Sequence, residues 1–333
     1  MGGMRSERIL TVALPPDPAG RVSYLGGDGT RWANEGGALP KALTAAAVWA
    51  RVLKAWKRPQ AVLVEVGSQL GEWLFDSRAR ELLRREMQRR ADAAPAGRIE
   101  ILLPFRQDDP AITLQWAEWP WELARVDGVP DSLGVQRAFT LVRTIDRGGA
   151  HNTGAGRHAP LAVEAIGASP ALPYEPLDVA PELEALSDAL ADVSVAGRFR
   201  VRTDPTGQWQ AFVGRCDAEG PPHVFHFAGH GHKDGRLVFC QPGGAPEPID
   251  PGRLASVLLS PRHARRTQLA FLNACWSARA KTRTPEQEPF AGAATHLLLF
   301  DLPAAVGLGV PILDAEAQVL AATFYGVLAE GSP

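Results

Sequence analysis

Cysteine is scarce in this chain, and the positions of the few cysteines limit which disulfides or metal sites they can form. The 333 residues include three cysteines, Cys216, Cys240 and Cys275, and no two of them have the short spacing of a metal-binding pair. An odd number of widely spaced cysteines argues against a disulfide framework and favours a reducing compartment. We therefore expect a cytoplasmic protein without structural disulfides.

An excess of charge is also missing, as are segments that direct a chain to a membrane. The 35 basic and 37 acidic residues give a formal net charge of −2, which does not suggest a nucleic-acid or membrane-surface partner. Residues 1–10 contain two arginines but lack the apolar core of a signal peptide. The apolar stretch 292–313 is interrupted by a histidine, an aspartate and two prolines, so it predicts a helix, a turn and a buried strand instead of a membrane span.

The chain has enough apolar residues, 45%, for a full core, and its second half alternates between strand and helix patterns. Such alternation is typical of an α/β fold with a mostly parallel sheet that is covered on both faces. In the first half, the apolar run 61–66 predicts a buried strand, and residues 71–91 predict one long basic helix. The Gly-rich, polar stretch 147–158 predicts a linker.

Three tryptophans lie close together within the segment 114–124. They could form an aromatic platform for a ligand. We favour packing between a helix and a sheet, because large aromatic rings contribute strongly to protein cores.

Two short stretches end apolar runs with small and reactive residues. Residues 223–232 read HVFHFAGHGH, and residues 269–277 read LAFLNACWS. Each run predicts a buried strand, and each break predicts the loop at the carboxyl end of that strand. Because open α/β sheets bind their ligands at the carboxyl ends of strands, we expect His230 and Cys275 to lie at one edge of one sheet.

A histidine beside a cysteine supplies the chemistry of a thiol nucleophile. A free thiol, with a pKa of roughly 8.5, is mostly protonated at neutral pH, and a neighbouring imidazole can take that proton and later pass it to a leaving amine. The amides of Gly231 and Cys275 are candidate donors to the oxyanion, and Gly229 and Gly231 leave the backbone open for close approach. Taken singly, the cysteine reads as a small buried residue and the histidine as a loop residue, whereas their shared placement favours a catalytic dyad.

The four histidines between 223 and 232 raise the alternative of a metal site. Alternation along a strand places His226 and His230 on one face and His223 on the other, so they converge poorly on one ion. His226 is expected to pack inside and to form a hydrogen bond. The sequence therefore predicts no metal and no other cofactor, and a metal-dependent hydrolase stays as a weaker alternative.

The two motifs resemble those of a known family. HFAGHG followed by LAFLNACWSA is similar to the paired His and Cys motifs of CHAT domains, caspase-like cysteine peptidases of the same clan as separases and metacaspases. WPWELARVDG, VQRAFTLVRTI and the tail 303–331 also resemble that family, so the likeness covers roughly residues 61–331. It implies a caspase-like α/β/α sandwich in which His230 is the general base and Cys275 is the nucleophile.

The resemblance also implies residues on the substrate side of the cleft. Asp314 matches the acidic position after the family's last strand, although it could equally be the N-cap of the closing helix. Trp276 departs from the family, in which many members have a small polar residue followed by Ser-Gly, and it is expected to narrow or reshape the pocket. We place Gly229 with Asp314 and Trp276 among the substrate-binding residues.

The resemblance implies a regulated bacterial cysteine endopeptidase that cuts proteins or peptides in defence or cell death, together with a regulatory or sensor partner. Neither a nucleic acid nor a membrane is expected as a direct partner. We divide the chain into an N-terminal segment of unknown role (1–60), a pseudo-caspase-like N-terminal part of the CHAT domain (61–150) and a catalytic part (151–333). A catalytically idle caspase-like module that binds other proteins is the alternative.

Overall fold

The computed structural model divides the chain into two compact units, Met1–Gly149 and Ala150–Pro333. The residues that it describes are 7–17, 20–34, 44–55, 60–90, 97–106, 108–136, 138–146, 160–232, 235–263, 267–274, 292–308 and 314–330. Within these ranges, every helix is too short or too polar to cross a membrane. Each unit is built around its own sheet.

Five strands of the described part form the sheet of the first unit. They are β1 (Arg8–Ala13), β2 (Ser23–Gly26), β3 (Arg31–Ala33), β4 (Gly97–Pro104) and β5 (Phe139–Asp146). The helices of this unit are α1 (Ala45–Ala55), α2 (Gln60–Leu74), α3 (Ser77–Arg90) and α4 (Ala111–Ala117). The strand order is β3-β2-β1-β4-β5, in which β1, β4 and β5 are parallel and the β1-β2 and β2-β3 pairs are antiparallel.

Residues 61–66, predicted as a strand, belong to helix α2 instead. The buried residues of this helix recur with helical spacing: Val66, Leu70, Trp73 and Leu74. A short apolar run does not separate a strand from a helix by pattern alone, and the buried positions downstream decide for the helix. The single helix predicted over 71–91 is also wrong, because Asp76 begins a new helix by accepting a 2.8 Å hydrogen bond from the Ala79 N–H.

The tryptophans of segment 114–124 pack in the core of the first unit. Trp116 and Trp121 are almost fully buried, and both stack on Trp73 of α2, with ring centroids 5.4 and 5.7 Å apart. Trp119 joins the same cluster, 5.5 Å from Trp121. The rings are buried against one another, which confirms packing and excludes an exposed ligand platform at this cluster.

Seven strands of the described part form the sheet of the second unit. They are β6 (Leu161–Ala168), β7 (Phe199–Asp204), β8 (Val224–Gly231), β9 (Leu237–Cys240), β10 (Pro246–Ile249), β11 (Leu269–Ala274) and β12 (Ala304–Gly307). The helices of this unit are α5 (Ala180–Ala189), α6 (Ala191–Val195), α7 (Trp209–Glu219), α8 (Pro251–Leu258), α9 (Ala293–Leu299) and α10 (Asp314–Glu330). Parallel strands run in the order β7-β6-β8-β11-β12, and the hairpin β9-β10 joins the end of β8 in antiparallel orientation.

The α/β class is confirmed, but a mostly parallel sheet is not, because the sheets of both units are mixed. The hairpins account for the difference, since β2-β3 and β9-β10 add antiparallel strands to parallel centres. Alternating strand and helix patterns indicate only the crossovers, which join parallel strands.

Strand β8 separates two cores of the second unit. Phe225 and Phe227 pack on one face with residues of α7 and α8. His226 points to the other face, where it meets Tyr325 of α10. Because successive side chains of a strand alternate, His230 has the same parity as His226 and belongs to the face covered by α5 and α10.

Candidate active site

The parallel pairing of three neighbouring strands of the second unit ends at one level. Ala168 of β6 and Ala274 of β11 both pair with Gly229 of β8. A side chain at position 229 would place its Cβ 2.9 Å from the Ala168 carbonyl oxygen and 2.9 Å from the Phe227 ring, so glycine alone fits without a shift. These strand ends form the carboxyl edge at which α/β folds bind their ligands.

His230 follows Gly229 and stands half-buried at this edge. Its Nε2 lies 2.7 Å from the main-chain carbonyl oxygen of Glu175, in the segment between β6 and α5. Because a carbonyl oxygen can only accept, Nε2 carries the proton in this hydrogen bond, and Nδ1 of the neutral ring keeps its lone pair. The Tyr174 ring packs against the imidazole, with 5.0 Å between centroids. These two contacts hold the imidazole ring in place, and Nδ1 is the ring atom that can accept a proton.

Cys275 and Trp276 lie outside the described residues. Ala274, which precedes Cys275, pairs with Gly229, which precedes His230. The strands that lead to the two motifs are therefore adjacent and parallel. Helix α10 begins at Asp314, whose side chain is outside the described set.

The N–H of Gly231 points away from the hairpin β9-β10. Gly231 pairs with Leu237, and the next rung is closed by the His232 N–H, which donates to the Arg236 carbonyl at 2.8 Å. Hydrogen-bonded and non-hydrogen-bonded pairs alternate along an antiparallel ladder, so Gly231 and Leu237 are a non-hydrogen-bonded pair. Because β9 also contacts β6, it lies on the β6 side of β8, and the Gly231 N–H is directed to the β11 side.

A buried polar cluster, formed by His226, Glu182, Asn273 and Tyr325, lies behind this edge. Nε2 of the fully buried His226 is 2.9 Å from Oε1 of Glu182 on α5, off the line of a hydrogen bond. The same Oε1 accepts a 2.6 Å hydrogen bond from Nδ2 of Asn273. The Tyr325 hydroxyl lies 3.2 Å from Nδ1 of His226. Burial, with the negative charge of Glu182, raises the pKa of the Tyr325 phenol well above its ordinary value, so the hydroxyl stays protonated.

The histidines of the motif do not all point to one place, as the alternation of side chains along a strand predicts. His226 packs inside and meets the Tyr325 hydroxyl, which confirms its expected place. His223 turns elsewhere, and its Nδ1 accepts a 2.9 Å hydrogen bond from the Ala162 N–H. Among the residues that the structure describes, there is no group of three or more His, Cys, Asp or Glu side chains that could hold a metal ion.

The residues that hold the two central histidines could not be predicted from the sequence. Glu175 contributes a main-chain oxygen, which no side-chain pattern reveals. Glu182 and Tyr325 lie on helices far along the chain from the strands that they contact. Only Asn273 carried a signal, as a polar amide within an apolar run two residues before the cysteine.

A family model described as CHAT domain matches residues 68–333 of the chain. The match extends from helix α2 through the second unit, so it includes both the His and the Cys motifs. No curated protein sequence matches the chain significantly.

Proposed function

The chain belongs to the CHAT-domain family, and on that basis we propose that it is a cysteine endopeptidase in which Cys275 attacks the peptide bond and His230 is the general base. One observation carries the proposal. The strands that lead to these residues are paired at Gly229 and Ala274, one position before each of them. Because consecutive Cα atoms are about 3.8 Å apart, one such step along the chain leads from this pair to His230 on one strand and to Cys275 on the other.

The contacts of His230 support the role of a general base. The hydrogen bond to the Glu175 carbonyl keeps a proton on Nε2, which leaves Nδ1 to take the thiol proton. Packing against Tyr174 limits rotation of the ring. The carbonyl also stabilises the imidazolium, because a charged N–H donates more strongly than a neutral one.

The reaction follows from these positions. Nδ1 of His230 takes the proton of Cys275, and the thiolate attacks the carbonyl carbon of the scissile bond. The N–H groups of Gly231 and Cys275 donate to the oxyanion, a role that suits the direction of the Gly231 N–H towards the β11 side. The imidazolium then protonates the leaving amine, and water, activated by the same ring, hydrolyses the thioester.

The substrate is a protein or peptide, and its chain lies against Gly229, Trp276 and Asp314. The family resemblance supports a regulated role in bacterial defence or cell death, in a reducing cytoplasm, with a sensor or regulatory partner. Residues 1–60 precede the region that the family model matches, and we propose them as a surface for that partner.

Labelling with peptidyl electrophiles tests the dyad. We expect an adduct on Cys275, located by mass spectrometry, in the wild type and none in Cys275→Ala. In His230→Ala the labelling rate should fall by roughly 100-fold or more, because the thiol loses its base. His232→Ala is the matched control and should label like the wild type. Labelling that does not depend on His230 would favour the idle module that binds other proteins.

A further inference from the structure

We propose that Glu182 is a positioning residue, which holds the His-bearing strand β8 and the Cys-bearing strand β11 in the relative position that the dyad needs. This inference rests on the proposed function and adds to it a residue outside both sequence motifs. Glu182 reaches the two strands from α5, far along the chain from each.

A single carboxylate oxygen contacts both strands. Oε1 of Glu182 accepts the 2.6 Å hydrogen bond from Asn273 on β11 and lies 2.9 Å from Nε2 of His226 on β8. Asn273 precedes Cys275 by two positions, and His226 precedes His230 by four. Any shift of β8 against β11 therefore changes these two contacts and the geometry of the dyad together.

The buried polar cluster constrains geometry more tightly than the apolar packing around it. His226 is fully buried, and Glu182 and Asn273 are each 6% exposed. Phe271 stacks on the His226 ring, with 5.1 Å between centroids, and stays in contact when the strands shift slightly. The hydrogen bond from Asn273 tolerates less, because a buried donor or acceptor that loses its partner is left unsatisfied, and the 2.9 Å contact with His226 also limits the movement of Glu182. Glu182 therefore fixes the position, whereas the surrounding core supplies stability.

Three variants change the link between the strands by different amounts. Glu182→Ala removes the contacts to both strands, and Asn273→Ala removes the contact to β11 alone. Glu182→Gln is the conservative variant, because its carbonyl oxygen can take the place of Oε1, accepting from Asn273 and lying beside Nε2 of His226.

Two further variants are controls. Glu184→Ala changes an exposed carboxylate on the same helix. Arg215→Ala breaks partly buried ion pairs to Glu164 on β6 and Asp204 on β7, each with a 2.6 Å contact, and so lowers stability through pairs outside β8 and β11. A loss of Cys275 alkylation rate that arises from displacement of β8 against β11 should appear in neither control.

The readout is the rate at which iodoacetamide alkylates Cys275, measured from about pH 5.5 to about 9.5 with the adduct located by mass spectrometry. This range includes the ordinary pKa of a thiol, and the small reagent needs no substrate pocket. At neutral pH we expect Glu182→Ala and Asn273→Ala to react about tenfold more slowly than the wild type, because the thiolate fraction falls tenfold for each unit of pKa. At the alkaline end all rates should agree within about twofold, since every thiol is then largely ionised.

The outcomes separate this inference from the proposed function. Rescue by Glu182→Gln and wild-type profiles in both controls would support it. Wild-type profiles in Glu182→Ala and Asn273→Ala would overturn it and leave the dyad intact, and so would an equal loss in Arg215→Ala. Alkylation of wild-type Cys275 without any dependence on His230 would overturn both. If Glu182→Ala does not fold, Asn273→Ala decides in the same way.

Discussion

Nε2 of His230 lies 2.7 Å from the carbonyl oxygen of Glu175, so a main-chain atom orients the candidate base. Glu175 follows Tyr174, whose ring packs on the same imidazole. Both residues lie in the segment that leaves β6, the neighbour of β8 on the side away from β11. The contacts that orient the candidate base therefore approach from one side of β8, and the strand that leads to Cys275 lies on the other.

Tyr174→Ala should slow the labelling of Cys275 about tenfold or more at neutral pH, because the imidazole loses one of its two supports and small misplacements cost large factors in rate. Tyr174→Phe keeps the ring and should label like the wild type. Glu175→Ala keeps the carbonyl and should also stay within about twofold of the wild-type rate. A loss in Glu175→Ala equal to that in Tyr174→Ala would show that the Glu175 side chain, and not its main chain, matters.

Gly229→Ala should lower the free energy of unfolding by about 1–3 kcal/mol, because the added Cβ overpacks the junction with Ala168 and Phe227. Chemical denaturation measures the loss. Gly214→Ala on α7 is the control, since its Cβ would meet nothing within 4 Å. There the helix should gain up to about 1 kcal/mol, because alanine favours a helix over glycine. A Gly229→Ala variant as stable as the wild type would mean that the strand ends can separate.

The strands of the site could be predicted from the sequence, but their supports could not. The apolar runs before His230 and Cys275 correspond to β8 and β11, because a buried strand leaves a short, dense pattern. Glu182 and Tyr325 each lie on a helix, and the helical pattern of the sequence accounts for both residues without a functional role. Their role depends on tertiary contacts that span much of the second unit, and a local pattern carries no record of such contacts.

The wrong prediction of a strand over residues 61–66 has a similar origin. The valines of this run favour a strand locally, and helix α2 forms because residues beyond the run, such as Leu70 and Trp73, become buried on one face. Propensity is a weak preference that tertiary packing overrides. The hairpin β9-β10 is also set by contacts, since it joins β8 only after the parallel strands have ended.

A second charged network joins β6, β7 and α7. Arg215 makes 2.6 Å contacts with Glu164 and with Asp204. Burial acts to raise the pKa of Asp204, but hydrogen bonds from Thr206 and Arg215 outweigh it, and the pKa lies below its ordinary value of 3.8. A carboxyl group whose pKa is lowered in the folded state contributes stability above its unfolded pKa and loses it as the pH falls through the folded pKa.

We therefore expect the free energy of unfolding of the wild type to decrease below about pH 4, and this acid-dependent part to become smaller in Arg215→Ala. Urea unfolding at about pH 6, 4 and 3 measures it. Arg202→Ala breaks a more exposed pair with Glu219 and should keep the wild-type acid dependence, because exposed pairs contribute little. An unchanged acid dependence in Arg215→Ala would contradict the assignment to Asp204.

Tyr325→Phe tests the buried polar cluster by the removal of one oxygen atom. The variant keeps the ring in the core but leaves Nδ1 of His226 without the hydroxyl that lies 3.2 Å away. Because this histidine is fully buried, the loss of a hydrogen-bond partner should lower the free energy of unfolding by about 1–3 kcal/mol. Because burial raises the pKa of Tyr325, the hydroxyl stays protonated and the loss should be equal at about pH 6 and about pH 9.

The control for Tyr325→Phe is Thr323→Val, an exposed position on the same helix, which should change stability by less than about 0.5 kcal/mol. Alkylation of Cys275 adds a second comparison. The Tyr325 hydroxyl lies against His226, so its loss leaves the hydrogen bond from Asn273 on β11 to Glu182 in place, and the rate should fall less than in Asn273→Ala. A stability loss as small as that of Thr323→Val would mean that the cluster consists of His226, Glu182 and Asn273 without Tyr325. A larger loss of alkylation rate than in Asn273→Ala would mean that His226, and not Glu182, is the residue that positions the two strands.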